Sequence, residues 1–124
     1  MTPTDLIWNR ACEGGGPNPR NGDRALAALL KAHGFAMNGG LLHAMELLNP
    51  AELADAKSGY RFFGFDAVAV LLSSARKLRE TDEDLEFHEG QLNDDYATLI
   101  PDDSSLMERF EAVHKMRPLD FSPL

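Results

Sequence analysis

The chain has 124 residues, of which 44% are hydrophobic and one is cysteine, and its formal net charge is −8 at pH 7. This length is enough for one domain with a hydrophobic core that needs no disulfide or metal to hold it together. The single cysteine, Cys12, excludes an intramolecular disulfide and a cysteine-based zinc site. The first residues lack the pattern of a signal peptide, and no apolar run approaches the roughly 20 residues that span a bilayer. We therefore expect a cytoplasmic protein.

The first two predicted helices follow from start signals and apolar spacing. Thr2 is the expected cap of a helix with Pro3 in its first turn. Glycine, proline and asparagine then predict a surface loop over residues 14–22. Asp23 is the expected cap of the next helix. The apolar stripe of that helix has the spacing of a single helix face: Leu26, Leu29, Leu30, His33 and Met37.

An Asn-Gly-Gly sequence at residues 38–40 interrupts the longest nearly charge-free run of the chain, residues 34–48. Two glycines cost a continuous helix about 2 kcal/mol relative to alanine, so we expect a break or bend there. Gly39 or Gly40 would permit a close backbone approach, and Asn38 would cap the helix that follows. This run is expected to be the buried centre of the domain.

The middle of the chain begins with an asparagine cap, a proline and a glutamate at residues 49–52. They predict a helix that ends near Lys57 or Ser58, followed by a buried connection or a single helical turn over residues 59–65. Asp66 begins a strong helix whose last turns are basic. The bases of those turns are expected to form ion pairs with the acidic segment that follows.

The acidic excess lies in the C-terminal third. Residues 80–111 contain twelve acidic residues and one basic residue, Arg109, which gives this segment a net charge of −11. The rest of the chain has a net charge of +3. Such a segment repels nucleic acid and anionic membranes and attracts basic protein surfaces.

Two helices are predicted in this acidic third. Thr81 is the expected cap of the first, and Pro101 ends it. Its inner face would carry leucines, His88 and Tyr96, while Phe87 falls on the outer face among carboxylates. The last helix would start at Asp103. The residues expected to face inward near the ends of these helices are Leu99 and either Met116 or Arg117. Residues 118–124 are expected to form an extended tail that docks through Leu119 and Phe121.

Alternating β-branched residues are missing from the sequence. The predicted fold is therefore all-α, with one compact domain over residues 1–124. Six or seven short helices are expected to surround the pair of apolar helices that the Asn-Gly-Gly sequence separates.

The sequence contains no catalytic signature, and we predict neither an enzyme nor a cofactor. His43 and Glu46 have a His-x-x-Glu spacing, and His33 lies on the other side of the Asn-Gly-Gly sequence. A metal needs further ligands, so structural histidines are favoured over a metal site. The predicted partner-binding residues are instead the acids of the C-terminal third and one aromatic residue: Asp82, Glu83, Asp84, Glu86, Phe87, Asp94, Asp95, Asp102 and Asp103.

Three short segments carry a resemblance to a known family. They are the Asn-Gly-Gly region at residues 36–44, the Gly-Tyr-Arg-Phe-Phe-Gly sequence at 59–64, and the Leu-Asn-Asp-Asp-Tyr sequence at 92–96. In these segments the chain resembles a bacterial family of small all-helical proteins named after an acidic DNA-mimic protein. The resemblance would cover about residues 25–120. It implies that the Asn-Gly-Gly sequence is a structural motif, and that a family member can occupy the DNA-binding surface of a transcription factor.

Three functions fit these observations, and we rank them in the order in which they follow. The first is a non-enzymatic acidic inhibitor that masks a basic nucleic-acid-binding protein as a DNA mimic. The second is an immunity protein that neutralises a bacterial toxin. The third is a metal-binding or enzymatic helical protein that uses His33, His43 and Glu46. The expected partner is a basic protein, either a DNA-binding protein or a toxin. We expect no direct binding of nucleic acid or membrane. The sequence does not decide whether the chain forms a homodimer.

Overall fold

A computed structural model of the protein describes residues 1–81 and 84–124, and these residues form seven α-helices and one short 3-10 helix without any β-strand. The all-α prediction is confirmed. The elements in chain order are α1 (Pro3–Cys12), α2 (Asn21–Gly39), α3 (Leu41–Leu47), α4 (Pro50–Phe62), α5 (Asp66–Thr81), α6 (Leu85–Leu99), α7 (Asp103–Met116) and the 3-10 helix (Pro118–Asp120).

Two helix starts have the reciprocal hydrogen bonds of a capping box. The Thr2 hydroxyl accepts from the Asp5 N–H at 3.2 Å, and the Asp5 carboxylate accepts from the Thr2 N–H at 3.1 Å. The Asn49 side chain accepts from the Glu52 N–H at 2.8 Å, and the Glu52 carboxylate accepts from the Asn49 N–H at 3.0 Å. Both starts were predictable because the atoms involved lie within three residues of each other.

The loop predicted over residues 14–22 ends earlier than expected, because α2 begins at Asn21. Asp23 is therefore the third residue of the helix, where its carboxylate accepts from the Arg20 N–H at 3.0 Å. Gly22 lies inside α2 and against the tail, since a Cβ added to it would be 2.6 Å from the Phe121 ring. The tail packs on this helix start, and residues 21 and 22, which were predicted to end the loop, belong to the helix instead.

The break at residues 38–40 is confirmed. Gly39 is the last residue of α2, and Gly40, with φ +92°, turns the chain into α3. The prediction that Asn38 caps α3 is wrong, because the Leu41 N–H donates instead to Oδ1 of Asn93 at 2.9 Å. The cap therefore comes from α6, more than fifty residues away. A Cβ on Gly40 would also lie 3.0 Å from the Asn93 amide, so the small residue lets this side chain approach.

The predicted end of the fourth helix near Lys57 or Ser58 is wrong, because α4 continues to Phe62. The helix carries Gly59 in its last turns, which explains why the sequence suggested an end there. A Cβ on Gly59 would lie 2.4 Å from the Ala25 carbonyl oxygen. This glycine therefore permits the close contact between α2 and α4, which form the most extensive helix pair of the fold.

The predicted cap at Thr81 is also wrong. Thr81 is the last residue of α5, and its hydroxyl donates to the Leu78 carbonyl at 2.9 Å. The next helix begins at Leu85, preceded by Asp84 in the left-handed region with φ +44°. A hydroxyl can bond back to the preceding turn as readily as it caps the next one, so the residue type alone is ambiguous.

An aromatic cluster joins both ends of the chain to the core. The Phe110 ring centroid lies 6.0 Å from that of Trp8, 6.3 Å from Phe63 and 5.6 Å from Phe121. Phe121 is buried as predicted, whereas Leu119 is 81% exposed because its 3-10 turn directs it outward. Met37 and Leu99, also predicted to face inward, are exposed near helix ends, and so are both alternatives at the end of α7, Met116 and Arg117.

Candidate functional site

The outer face of α6 carries carboxylates that have no cationic partner in the part of the chain that the structure describes. Asp84, Glu86 and Asp94 are exposed, and none of them forms an ion pair with a residue of the ranges 1–81 and 84–124. Asp95 is half-buried and accepts from the Gln91 amide at 2.8 Å. Asp95 also lines the groove between α5 and α6 and so lies away from the outer face. We call Asp84, Glu86, Phe87 and Asp94 the α6 acidic face. Unpaired exposed carboxylates leave its negative field free to act on a partner.

Phe87 lies on this face as predicted and is 80% exposed. Its ring contacts His88 edge-on with centroids 5.2 Å apart. One turn further on, Gly90 offers no side chain, and nothing lies within 4 Å of the position of its missing Cβ. A large aromatic ring is therefore left uncovered between carboxylates, which is the usual composition of a binding anchor with a polar rim.

The other predicted site residues have different surroundings. Asp102 caps α7, because its carboxylate accepts from the Ser105 N–H at 3.0 Å. Asp103 accepts from Nε2 of His33 at 2.8 Å, so it has a structural contact although its side chain is 78% exposed. Asp82 and Glu83 lie outside the described residues. The structure thus places Glu86, Phe87 and Asp94 on the exposed side of α6 and Asp95 in the groove against α5. It assigns structural contacts to the two aspartates at the start of α7.

Among the described residues, the expected ion pairs between the basic end of α5 and the acidic segment are limited to Glu80. Arg76 pairs with Glu80 at 3.4 Å and also donates to the Met45 and Leu48 carbonyls, where α3 ends. Arg79 lies 3.6 Å from Glu46 on α3. These two guanidinium groups therefore hold α5 against α3 and leave the α6 acidic face unpaired.

A polar network, buried except for Asp103, joins four helices. Tyr96 of α6 contacts Nδ1 of His33 at 2.7 Å and the Tyr60 hydroxyl at 2.6 Å. His33 in turn reaches Asp103 at the start of α7. His33 and both tyrosines are at most 5% exposed. Each member has a partner, as buried polar groups require, so the network fixes the positions of α2, α4, α6 and α7.

Burial raises the pKa of both tyrosines in this network. The pKa of Tyr60 rises well above its ordinary value because the buried hydroxyl loses water, and Tyr96 adds to the effect. The pKa of Tyr96 also rises because of burial, and the Asp103 carboxylate contributes in the same direction. A raised pKa keeps a phenol protonated, so neither tyrosine is prepared to act as a base at neutral pH.

The histidine cluster considered for a metal or an enzyme is divided by the fold. His33 belongs to the buried network, whereas His43 packs against Gly39, and Glu46 faces Arg79. Within residues 1–81 and 84–124, no group of three or more histidine, cysteine and acidic side chains could hold a metal ion. Loss of water and the neighbouring Glu13 raise the pKa of Cys12, which is the opposite of what activates a thiol.

A second surface feature lies between the end of α4 and α7. A cavity of about 450 Å³ has an apolar floor of Phe62, Phe63 and Val113, and Met116 forms part of its wall. Two guanidinium groups line it as well, those of Arg109 and Arg117. We call it the two-arginine cavity.

Comparison with protein-family models, with curated proteins and with solved structures gave no match. The resemblance to the DNA-mimic family therefore stays a prediction. Over the described parts of the chain, no helix is long and apolar enough to cross a membrane.

Sequence reasoning missed the contacts that connect the motif segments. The segment at residues 59–64 contributes Tyr60, and the segment at residues 92–96 contributes Asn93 and Tyr96. Their hydrogen bonds connect α4 to α6 and α6 to α3. Their polar side chains at inner positions of helices were the available signal, because a buried polar group needs a partner. The identity of each partner depends on the tertiary fold.

Proposed function

We propose that this protein is a non-enzymatic binding protein whose α6 acidic face docks on a basic, nucleic-acid-binding protein and masks it. The observation that carries the proposal is Phe87, a ring that is 80% exposed among carboxylates with no cationic partner in the described residues. An exposed aromatic anchor gives a partner apolar area to bury, and the surrounding charges select a basic surface.

The arrangement of charge supports a protein partner over nucleic acid. The C-terminal third repels phosphates, while the pairing of Arg76 and Arg79 with α3 keeps their charge away from α6. A basic surface that normally contacts phosphates would meet carboxylates instead. Masking such a surface requires binding but no catalysis. The α6 acidic face offers what binding needs, namely negative charge and an exposed aromatic ring.

The proposal is tested by capture from a lysate of the native host on the immobilised chain. A variant with Asp84→Asn, Glu86→Gln and Asp94→Asn should lose the captured protein. Glu13→Gln, Asp55→Asn and Asp66→Asn form the matched control, since they remove the same charge from exposed positions elsewhere. Raising salt from about 50 to 500 mM should release the partner, because exposed charge pairs are screened.

Competition with short duplex DNA distinguishes masking of a DNA-binding surface from binding to another surface of the partner. A DNA mimic competes with DNA, so added duplex should displace the chain from its partner. Equal capture by both triple variants, or binding that salt does not affect, would contradict the proposal. A captured toxin that needs the same carboxylates but ignores duplex DNA would contradict mimicry and favour the immunity function.

A further inference from the structure

The two-arginine cavity combines an apolar floor with two guanidinium groups held on aromatic rings. The Cζ atom of Arg109 lies 5.3 Å from the centre of the Phe65 ring, and that of Arg117 lies 4.9 Å from the centre of Phe62. Such stacking restricts both side chains before any ligand binds. The volume of about 450 Å³ lies within the range of roughly 300–1,000 Å³ that is typical of binding pockets.

The two guanidinium groups keep capacity for a carboxylate. Arg109 donates to the Phe63 carbonyl at 3.3 Å but pairs with no carboxylate in residues 1–81 and 84–124. Arg117 pairs with Asp120 at 2.9 Å and stays 56% exposed. Gly64 allows the position of Arg109, since a Cβ there would lie 2.5 Å from its Nη1. The chemistry that fits is an apolar side chain flanked by carboxylates.

The same chain exposes a segment with this chemistry. Phe87 is a single uncovered ring with Asp84 and Glu86 next to it in the sequence, and Asp94 lies two turns further along the same side of α6. The ring is of a size that a cavity of this volume can accept. Gly90 leaves space beside it, so the wall of a second molecule could approach closely.

We propose that the two-arginine cavity binds Phe87 of a second copy of this chain, with its flanking carboxylates facing Arg109 and Arg117. The contact joins two different surfaces, so each copy carries one anchor and one cavity. Because a single side chain and a few exposed ion pairs contribute most of the energy, association is weak and depends on the salt concentration.

This contact also goes beyond the proposed function, since it assigns a role to the cavity. A basic partner and a second copy would compete for Phe87, and self-association would cover the α6 acidic face until the partner arrives. The two ideas fail separately, because self-association is measured on the purified chain alone and masking is measured by capture and DNA competition.

The experiment is sedimentation equilibrium of the full chain from about 10 to 500 µM at about 50 mM salt, a range suited to weak contacts. The mean mass should rise with concentration. Phe87→Ala removes the anchor, and Met116→Glu places a negative charge at the exposed edge of the cavity. Each should weaken association at least tenfold. Val70→Ala and Met37→Glu are the matched controls at exposed positions and should associate like the unmodified chain.

Mixing the two variants gives the decisive result. Phe87→Ala keeps its cavity and Met116→Glu keeps its anchor, so an equimolar mixture should regain association that neither variant has alone. Thermal unfolding checks that both variants stay folded. A chain that is monomeric over the whole range overturns the proposal, as do variants that associate normally. A mixture that stays monomeric also overturns it.

Discussion

The packed start of α2, around Asp23, and the α6 acidic face use carboxylates in opposite ways. On the first, Asp23 is 1% exposed, and its oxygens accept from Arg10 at 2.8 Å, from the Arg20 N–H at 3.0 Å and from the Ser122 N–H at 2.7 Å. On the second, Asp94 is exposed and forms no ion pair with a described residue. Charge alone therefore does not identify a binding surface, because function requires charge that internal partners have left available.

The largest expected effect is at Asp23. Asp23→Ala should lower the free energy of unfolding by about 3–5 kcal/mol, since it leaves the partly buried Arg10 without its counter-charge. The measurement is chemical denaturation. Asp55→Ala, at an exposed carboxylate, is the control and should change stability by no more than about 0.5 kcal/mol. Equal effects at the two positions would remove the distinction between the two regions.

The glycines of the two regions should respond with opposite signs. Gly59→Ala should cost about 1–3 kcal/mol, because its Cβ would meet the Ala25 carbonyl oxygen where α2 and α4 touch. Gly90→Ala should stabilise by about 0.5–1 kcal/mol, because the position is open and alanine favours the helix. Thermal unfolding of both variants measures the difference. A tolerated Gly59→Ala would mean that α2 and α4 can separate slightly without loss.

The tyrosines of the buried network should make the protein sensitive to alkali. Their folded-state pKa values are raised, so each contributes stability that is fully present below the unfolded-state pKa of about 10. That stability is lost as the pH rises from this value towards the folded-state pKa. Tyr60→Phe should therefore flatten the loss of stability above about pH 10. Denaturation midpoints between neutral and alkaline pH measure it, and an unchanged slope would contradict the assignment.

The smallest effect is expected on the α6 acidic face. The triple variant Asp84→Asn, Glu86→Gln and Asp94→Asn should change the free energy of unfolding by no more than about 0.5 kcal/mol, because these side chains have no cationic partner among the described residues. Two contributions oppose each other: the loss of like-charge repulsion favours the variant, whereas Asp84 and Glu86 lie at the start of α6, where removal of negative charge weakens the interaction with the helix dipole. A large destabilisation would show that these carboxylates hold the fold together, and it would weaken the case for a free binding surface.

The signals that succeeded in the sequence were local. Thr2 and Asn49 mark helix starts correctly because each hydrogen bond of a capping box spans three residues. Asn38 and Thr81 failed as caps because both residue types have several uses, and here Asn93 from α6 supplies the cap of α3. Glycine also has several uses: Gly59 suggested a helix end, but in the structure it permits close contact between α4 and α2.

By itself, the sequence determined the all-α class, most helix starts, the break at Gly40 and the concentration of acids in the C-terminal third. It also placed Phe87 on an outer helix face. Only the tertiary structure decided which polar groups are engaged: Asp23 with Arg10, Asp103 with His33, and Tyr60 with Tyr96. The physical reason is distance along the chain. Periodicity and caps act within a few residues, whereas the partner of a buried side chain is set by how whole helices pack.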